Sequence, residues 1–206
     1  MSESSASFGQ ADVEMLSTVT CYDGFLKLEK LELRHRLCAG GWCAPLHREI
    51  LVKDAAVGVL LYDPVLDKVV LIRQFRVGAL GSSQSPWLLE LVAGMVGHGE
   101  LAQEVAIREA IEESACTPTE LIKIYDYFNS PGTSNEKSTL FCGRVDASAA
   151  GGIHGLAEEN EDIEVVVLST RDAEQALATG AINNAMTIMA IQWLQLNKTA
   201  VLQTWT

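Results

Sequence analysis

Apolar and polar positions change rhythm along the chain. From Glu14 to about Leu51 short apolar steps are interleaved with charge, first in Leu16–Tyr22, then in Leu26–Arg36, then in Trp42–Val52 beyond a double glycine. A period of two predicts strands, and Ala39-Gly40-Gly41 predicts the turn between two of them. Two or three antiparallel strands do not bury their own faces. The segment 1–52 is therefore expected to be a small N-terminal β appendage that packs on the main body or on a second copy of the chain, and to serve in dimerisation. Residues 1–15 are polar and expected to fray.

From Lys53 the pattern becomes that of a larger body, 53–206. Ala55–Tyr62 and Lys68–Arg73 are β-rich runs joined by Asp63-Pro64-Val65-Leu66-Asp67, a hairpin with turn chemistry in place. Trp87–Val96 is one further apolar run. Leu101 to about Ala115 is helical, closed off before Pro118. Leu121–Phe128, Ser138–Val145 and Ile163–Leu168 predict strands. Arg171–Ala178 and Ile182–Leu196 predict helices, the last with Ala185, Ile188, Met189, Ile191, Trp193 and Leu194 as a broad apolar face. Strands and helices alternate irregularly, which predicts an α/β (α+β) fold with a mixed sheet flanked by helices.

Composition narrows the function. The 206 residues are 48% hydrophobic and 20% charged, a globular mixture. Lys and Arg number 15 against 27 Asp and Glu, a net charge of −12. That balance argues against nucleic acid as a partner, since duplex binding needs a basic face to displace counterions. It leaves room for a small anionic ligand accompanied by a divalent cation. The apolar runs are far shorter than the roughly 20 residues that cross a bilayer, and MSESSASFGQ lacks the basic and apolar regions of a secretory signal. No membrane and a cytoplasmic location are the expectations. Five cysteines in no framework spacing suit a reducing compartment. Cys38, Cys43 and His47 have a zinc-like look, but the gap is wide and no second pair follows.

The chemistry concentrates in GMVGHGELAQEVAIREAIEESAC, residues 94–116. Gly94, Gly97 and Gly99 lead into a helix carrying Glu104, Glu109, Glu112 and Glu113 against the single Arg108. At about 100° per residue, Glu109, Glu112 and Glu113 fall within an arc of roughly 100°, while Ile107 and Ile111 project from the far side. Such like charges repel by a few tenths of a kcal/mol per pair, a cost that a cation over the face removes. Mg²⁺ favours one or two carboxylates plus substrate phosphates. A solvated acidic face is the plainer alternative; the glycine-rich approach, which lets backbone come close to a ligand, weighs against it.

This segment resembles the Nudix hydrolase signature, Gly-x5-Glu-x7-Arg-Glu-U-x-Glu-Glu-x-Gly-U, with U a bulky aliphatic residue. Gly94, Glu100, Arg108, Glu109, Glu112 and Glu113 stand at the required spacings. Ala115 replaces the last glycine and the first U is the small Ala110; a positive φ at position 115 would cost alanine on the order of 1 kcal/mol. HREI, ELVAGMV, FNSPGTSNE, GIHGLAEENEDI and INNAMTIMAIQWLQL extend the similarity to the ADP-ribose pyrophosphatase branch, from about Val13 onward.

The resemblance implies an α/β/α sandwich and a homodimer with exchanged N-terminal β domains. It also implies Mg²⁺-dependent hydrolysis of ADP-ribose to AMP and ribose 5-phosphate, with Mn²⁺ as an alternative ion. It assigns Glu109, Glu113 and the Ala93 carbonyl to the metal, with Glu161 joining in a closed state and Glu112 as a further ligand or positioner of water. Arg108 and Glu100 would hold loop and helix together. Glu159 would deprotonate water, with Glu158 its neighbour. For substrate it implies Phe25 and Leu26 at adenine, Arg48, Glu49 and Lys53 from a partner chain, Arg76 as phosphate clamp, and Met95, Ser130, Pro131, Gly132 and Glu136 near the terminal ribose. The basic character of Lys53 keeps open a GDP-mannose or other nucleoside-diphosphate-sugar hydrolase. A non-catalytic ADP-ribose sensor is the alternative from another class. His35, His47, His98 and His154 form no pair with a visible role.

Overall fold

A computed structural model describes residues 8–81, 85–156, 158 and 160–205. The chain divides into two compact units, one running to Lys53 and including Phe128–Glu136, the other made of Asp54–Tyr127 and the chain from Lys137 onward.

The first unit is a three-stranded antiparallel sheet of β1 (Val13–Asp23), β2 (Lys27–His35) and β3 (Leu46–Val52), in that order. The strand expected from Trp42 begins only at Leu46. Gly40 and Gly41 take φ of +92° and +78° to reverse the chain, Trp42 makes one isolated bridge to Arg36, and Pro45, with no N–H to give a ladder, stands just before the strand. The Trp42 ring is flanked by the guanidinium groups of Arg34 and Arg36, 5.2 and 4.7 Å from its centroid. No residue of the three strands is buried. The segment 128–136 belongs to this unit: the Leu51 N–H donates to the Thr133 carbonyl (2.8 Å) and the Lys53 N–H to Asn135 Oδ1 (2.8 Å). The Lys53 ammonium pairs with the buried carboxylate of Glu136.

The second unit holds β4 (Ala55–Asp63), β5 (Lys68–Phe75), β6 (Trp87–Glu90), β7 (Val92–Val96), α1 (Ala102–Ser114), β8 (Glu120–Phe128), β9 (Lys137–Arg144), β10 (Ile153–His154), β11 (Ile163–Ser169), α2 (Thr170–Thr179) and α3 (Ala185–Thr204). Its eight-stranded sheet runs β10-β11-β5-β4-β9-β8, with β6 paired to β5 and β7 to β4. β4 and β9 are parallel, whereas β4 is antiparallel to β5 and β7. The sheet is mixed, as expected. The apolar run 87–96 is two strands rather than one, because the chain leaves β5 for β4 at Leu91, whose N–H is taken up by Thr187 Oγ1 (3.0 Å).

Both faces of the central strands are apolar because both are covered. On one side Leu60, Tyr62, Val69 and Leu71 pack with Ala173, Ala190, Ile191 and Leu194 from α2 and α3. On the other, Val57, Val59, Leu61, Val70 and Ile72 pack with Val105, Ala106 and Ala110 of α1. Of the apolar face expected on α3, Ile188, Met189, Ile191, Trp193 and Leu194 pack on the first of these cores and Ala185 is exposed, while the helix starts later and runs further than expected, burying Val201 as well. On α1, Ile111 is exposed, and the buried stripe is Val105, Ala106, Ala110, Glu113 and Ser114. Small Ala106 and Ala110 let the helix lie close on the sheet, which explains the missing bulk at position 110.

Candidate active site

The passage β7–loop–α1 builds the site. Pairing of β7 with β4 sets Ala93 opposite Gly58 and Gly94 opposite Val57. A Cβ on Gly94 would lie 2.1 Å from Glu109 Oε1. Only glycine leaves room there for the carboxylate of the helix to reach the strand. Glu100 anchors the intervening loop: its Oε2 accepts from the Gly97 N–H (2.7 Å), and its own N–H donates to the Gly97 carbonyl (3.1 Å). Gly99 then takes φ +85° to enter the helix.

Glu113 sits on the buried edge of α1, 3% exposed, and Oε2 accepts from the Ala93 N–H at 3.2 Å. Burial pushes its pKa up to about 8; the neighbouring charges of Glu109 and Glu161 push the same way, opposed by the Ala93 hydrogen bond and by Arg76. Glu109 is also raised, mainly by burial, with Arg108 opposing. Arg108 Nη1 lies 2.9 Å from Glu109 Oε1 and 3.1 Å from Glu112 Oε2, bridging two of the three signature carboxylates along the helix. Arg108 thus ties carboxylates within the helix, and Glu100 closes the loop that precedes it.

The other departure from the signature lies at the C-terminus of α1. Ala115 adopts φ +53°, ψ +18°, while the Ala115 and Cys116 N–H groups close onto the carbonyls of Ile111 (2.9 Å) and Ala110 (3.3 Å). The position is one that favours glycine, and the chain accepts alanine there. The Gly155 N–H donates to the Glu112 carbonyl (3.4 Å), attaching the loop after β10 to the helix end. Within that loop the Leu156 N–H donates to Glu161 Oε2 (3.1 Å) and the Glu161 N–H to the Leu156 carbonyl (3.2 Å). Glu159 lies outside the described residues.

Among the described residues no three His, Cys, Asp or Glu side chains form a ready-made metal cage. The donors nonetheless suit a hard divalent cation, which needs only one or two protein carboxylates and takes water and phosphate for the rest. Glu109 reaches into the space that Gly94 leaves on β7, and the buried Glu113 lies against Ala93 of the same strand. A cation there would offset the desolvation that raises both pKa values.

Arg76 follows β5, and its Nε donates to Glu90 Oε2 at 2.7 Å. Glu90 carries no role in the sequence reading; the signal for it is a lone charge inside the apolar run Trp87–Val96. Met95 is exposed on β7. The remaining expected substrate residues belong to the first unit. Phe25 is 93% exposed and Leu26 exposed at the β1–β2 turn, Arg48 and Glu49 are exposed on β3, and Ser130, Pro131 and Gly132 are exposed in the segment before Glu136.

A Nudix sandwich with its signature helix laid against a glycine strand defines the class: the chain belongs to the Nudix family, whose domain model matches residues 52–198. The chain is 45% identical over 201 residues to the ADP-ribose pyrophosphatase of Haemophilus influenzae, covering 96% of this chain and 93% of that protein. It is likewise 45% identical over 198 residues to the ADP-ribose pyrophosphatase of Escherichia coli K12, covering 96% and 95%. A GDP-mannose pyrophosphatase of Shigella flexneri is 35% identical over 156 residues, 73% of this chain and 78% of that protein. The fold matches a crystal structure of an ADP compounds hydrolase with TM-score 0.68, at 18% identity over 92% of this chain and 97% of that one. The chain is a Nudix hydrolase.

Proposed function

We propose that this protein hydrolyses the pyrophosphate bond of ADP-ribose, releasing AMP and ribose 5-phosphate. The observation that carries the reading is a signature with every charged position filled, within a chain similar over 96% of its length to ADP-ribose pyrophosphatases, where the GDP-mannose relative is similar over 73%. Glu109 and Glu113, with the Ala93 carbonyl, would hold Mg²⁺ (or Mn²⁺), Glu161 would join them, and Glu112 would position water. The ion supplies positive charge to the pyrophosphate and makes water easier to deprotonate.

The chain's own groups do the rest. Arg76 offers a fork of donors to phosphate. Arg108 keeps Glu109 and Glu112 in place while Glu100 and Gly97 fix the approach to α1. Glu159 takes the proton from the attacking water, a role that needs an ionised carboxylate near neutral pH. Phe25, Leu26, Arg48, Glu49 and Lys53 serve the adenine end, and Met95, Ser130, Pro131, Gly132 and Glu136 the terminal ribose.

The protein works as a homodimer with exchanged N-terminal units, supported by the exposed apolar residues of β1 and its turn, Val13, Met15, Leu16, Val19, Tyr22 and Phe25. No helix among the described residues is long and apolar enough to cross a membrane, and the cytoplasm is the proposed location.

The test is purified protein incubated in parallel with ADP-ribose, GDP-mannose, NADH and ATP, with and without Mg²⁺, and products resolved by chromatography. AMP chiefly from ADP-ribose, and only with the ion, is the expected result. GMP from GDP-mannose with ADP-ribose untouched would overturn the substrate. Tight binding of ADP-ribose that survives Mg²⁺ would favour a sensor. Glu159→Gln should cut turnover by orders of magnitude and spare substrate binding.

A further inference from the structure

The alternation of side chains along β6 and β7 decides where Glu90 points. Leu89 and Leu91 enter the core shared with α2 and α3, whereas Val92 enters the core shared with α1. Period two therefore places Glu90 with Val92, on the α1 face. Register agrees: Glu90 stands opposite Ile72, itself in the α1-side core, and opposite residues share a face. A carboxylate at this position, with its side chain only 14% exposed, needs a partner, and Arg76 Nε supplies it at 2.7 Å.

The backbone around Arg76 is fixed as well. Its N–H donates to the Pro86 carbonyl (2.8 Å), and its own carbonyl accepts from the Ala79 N–H (2.9 Å). Nε is the inner donor of the guanidinium group. Once Glu90 holds it, the outer edge with its two terminal nitrogens is left to face outward, and the Arg76 side chain is 43% exposed. The same guanidinium is close enough to Glu113 to act on its charge. Arg76 therefore presents donors on the face of the sheet that α1 covers, with its orientation set from behind by Glu90.

We propose that Glu90 is a positioning residue that fixes the plane of the Arg76 guanidinium so that its outer edge meets the phosphates of the substrate. The proposal rests on the reading of Arg76 as a phosphate clamp. Glu90 does not itself touch substrate: it acts by removing the rotational freedom of a long side chain before binding, which lowers the cost of each donor–phosphate contact.

The experiment compares wild type, Glu90→Gln, Arg76→Ala and the double variant. It measures kcat and KM for ADP-ribose with Mg²⁺, equilibrium binding of ADP-ribose in EDTA, and thermal midpoints. Gln keeps the shape of Glu90 but replaces a charge-assisted hydrogen bond with a neutral one. Glu90→Gln should raise KM and weaken binding about 10-fold, change kcat by less than about 2-fold, and leave the midpoint in place. In the Arg76→Ala background it should add nothing, since the group it orients is gone. Wild-type binding by Glu90→Gln beside a large loss in Arg76→Ala would overturn the positioning role while leaving the clamp standing. Losses that multiply in the double variant would also overturn it, marking Glu90 as structural. An unaffected Arg76→Ala would overturn the clamp itself.

Discussion

The two sheets of this molecule use the same local code and meet different fates. β4 and β5 carry side chains of opposite faces into two cores, and Val57, Val59, Leu60, Leu61, Tyr62, Val69, Val70, Leu71 and Ile72 are all fully buried. β1 to β3 are of similar length and paired along most of it, with two irregularities in β1, yet bury none of their residues. Ladder hydrogen bonds thus follow from local pattern, whereas stability follows from the apolar area removed from water, at about 25 cal/mol per Å². A three-stranded sheet that leaves Met15, Val19 and Tyr22 exposed calls for a covering surface. The signature helix shows the converse. It places a carboxylate, Glu113, where the fold would otherwise place an apolar side chain, spending stability on chemistry.

The largest effect should come from that carboxylate. Glu113→Gln should lower kcat by about three orders of magnitude, since it removes a charged ligand. The same change should stabilise the metal-free protein. With a folded-state pKa of about 8 against 4.5 unfolded, Glu113 retains its proton in the fold where the unfolded chain has lost it. Wild-type stability must then fall as pH rises from about 4.5 to 8. Glu113→Gln should be more stable by about 4 kcal/mol at pH 8 and nearly equal at pH 4. Urea unfolding in EDTA at both values measures this; equal differences at the two pH values would refute the origin assigned.

Next is Gly94→Ala, whose methyl group would occupy the place of the Glu109 carboxylate. Activity should drop between 10- and 100-fold, on the order of what a displaced ligand costs, while the circular dichroism spectrum stays unchanged.

The N-terminal sheet is probed by Val19→Asp. A charge on the exposed apolar surface of β1 should convert a dimer to a monomer in sedimentation equilibrium, with the Nudix unit still folded. A wild-type protein that sediments as a monomer would remove dimerisation from the reading of this sheet. The smallest effect belongs to the end of α1: Ala115→Gly relieves a left-handed alanine and should stabilise by about 1 kcal/mol, seen as a raised urea midpoint with unchanged kcat.

Much was legible in the chain because it is encoded by spacing. The hairpin at Asp63–Asp67, the mixed sheet and the helix bearing Glu109, Glu112 and Glu113 follow from period and turn chemistry, and the signature spacings carry the family. Boundaries failed where a single run served two partners. Nothing in Trp87–Val96 says that its first half pairs with β5 and its second with β4. The covered stripe of α1 could not be read either, because Ile111 is more apolar than Glu113, and it is the exposed one.

Sequence alone determined the element types, the Nudix signature and the acidic helix, since each depends on residues close together along the chain. Tertiary structure alone decided which carboxylate is buried, why position 94 must lack a side chain, and that Glu90 backs Arg76. Those facts arise where two segments distant in sequence are pressed to within a hydrogen bond of each other, and no local pattern records the distance between them.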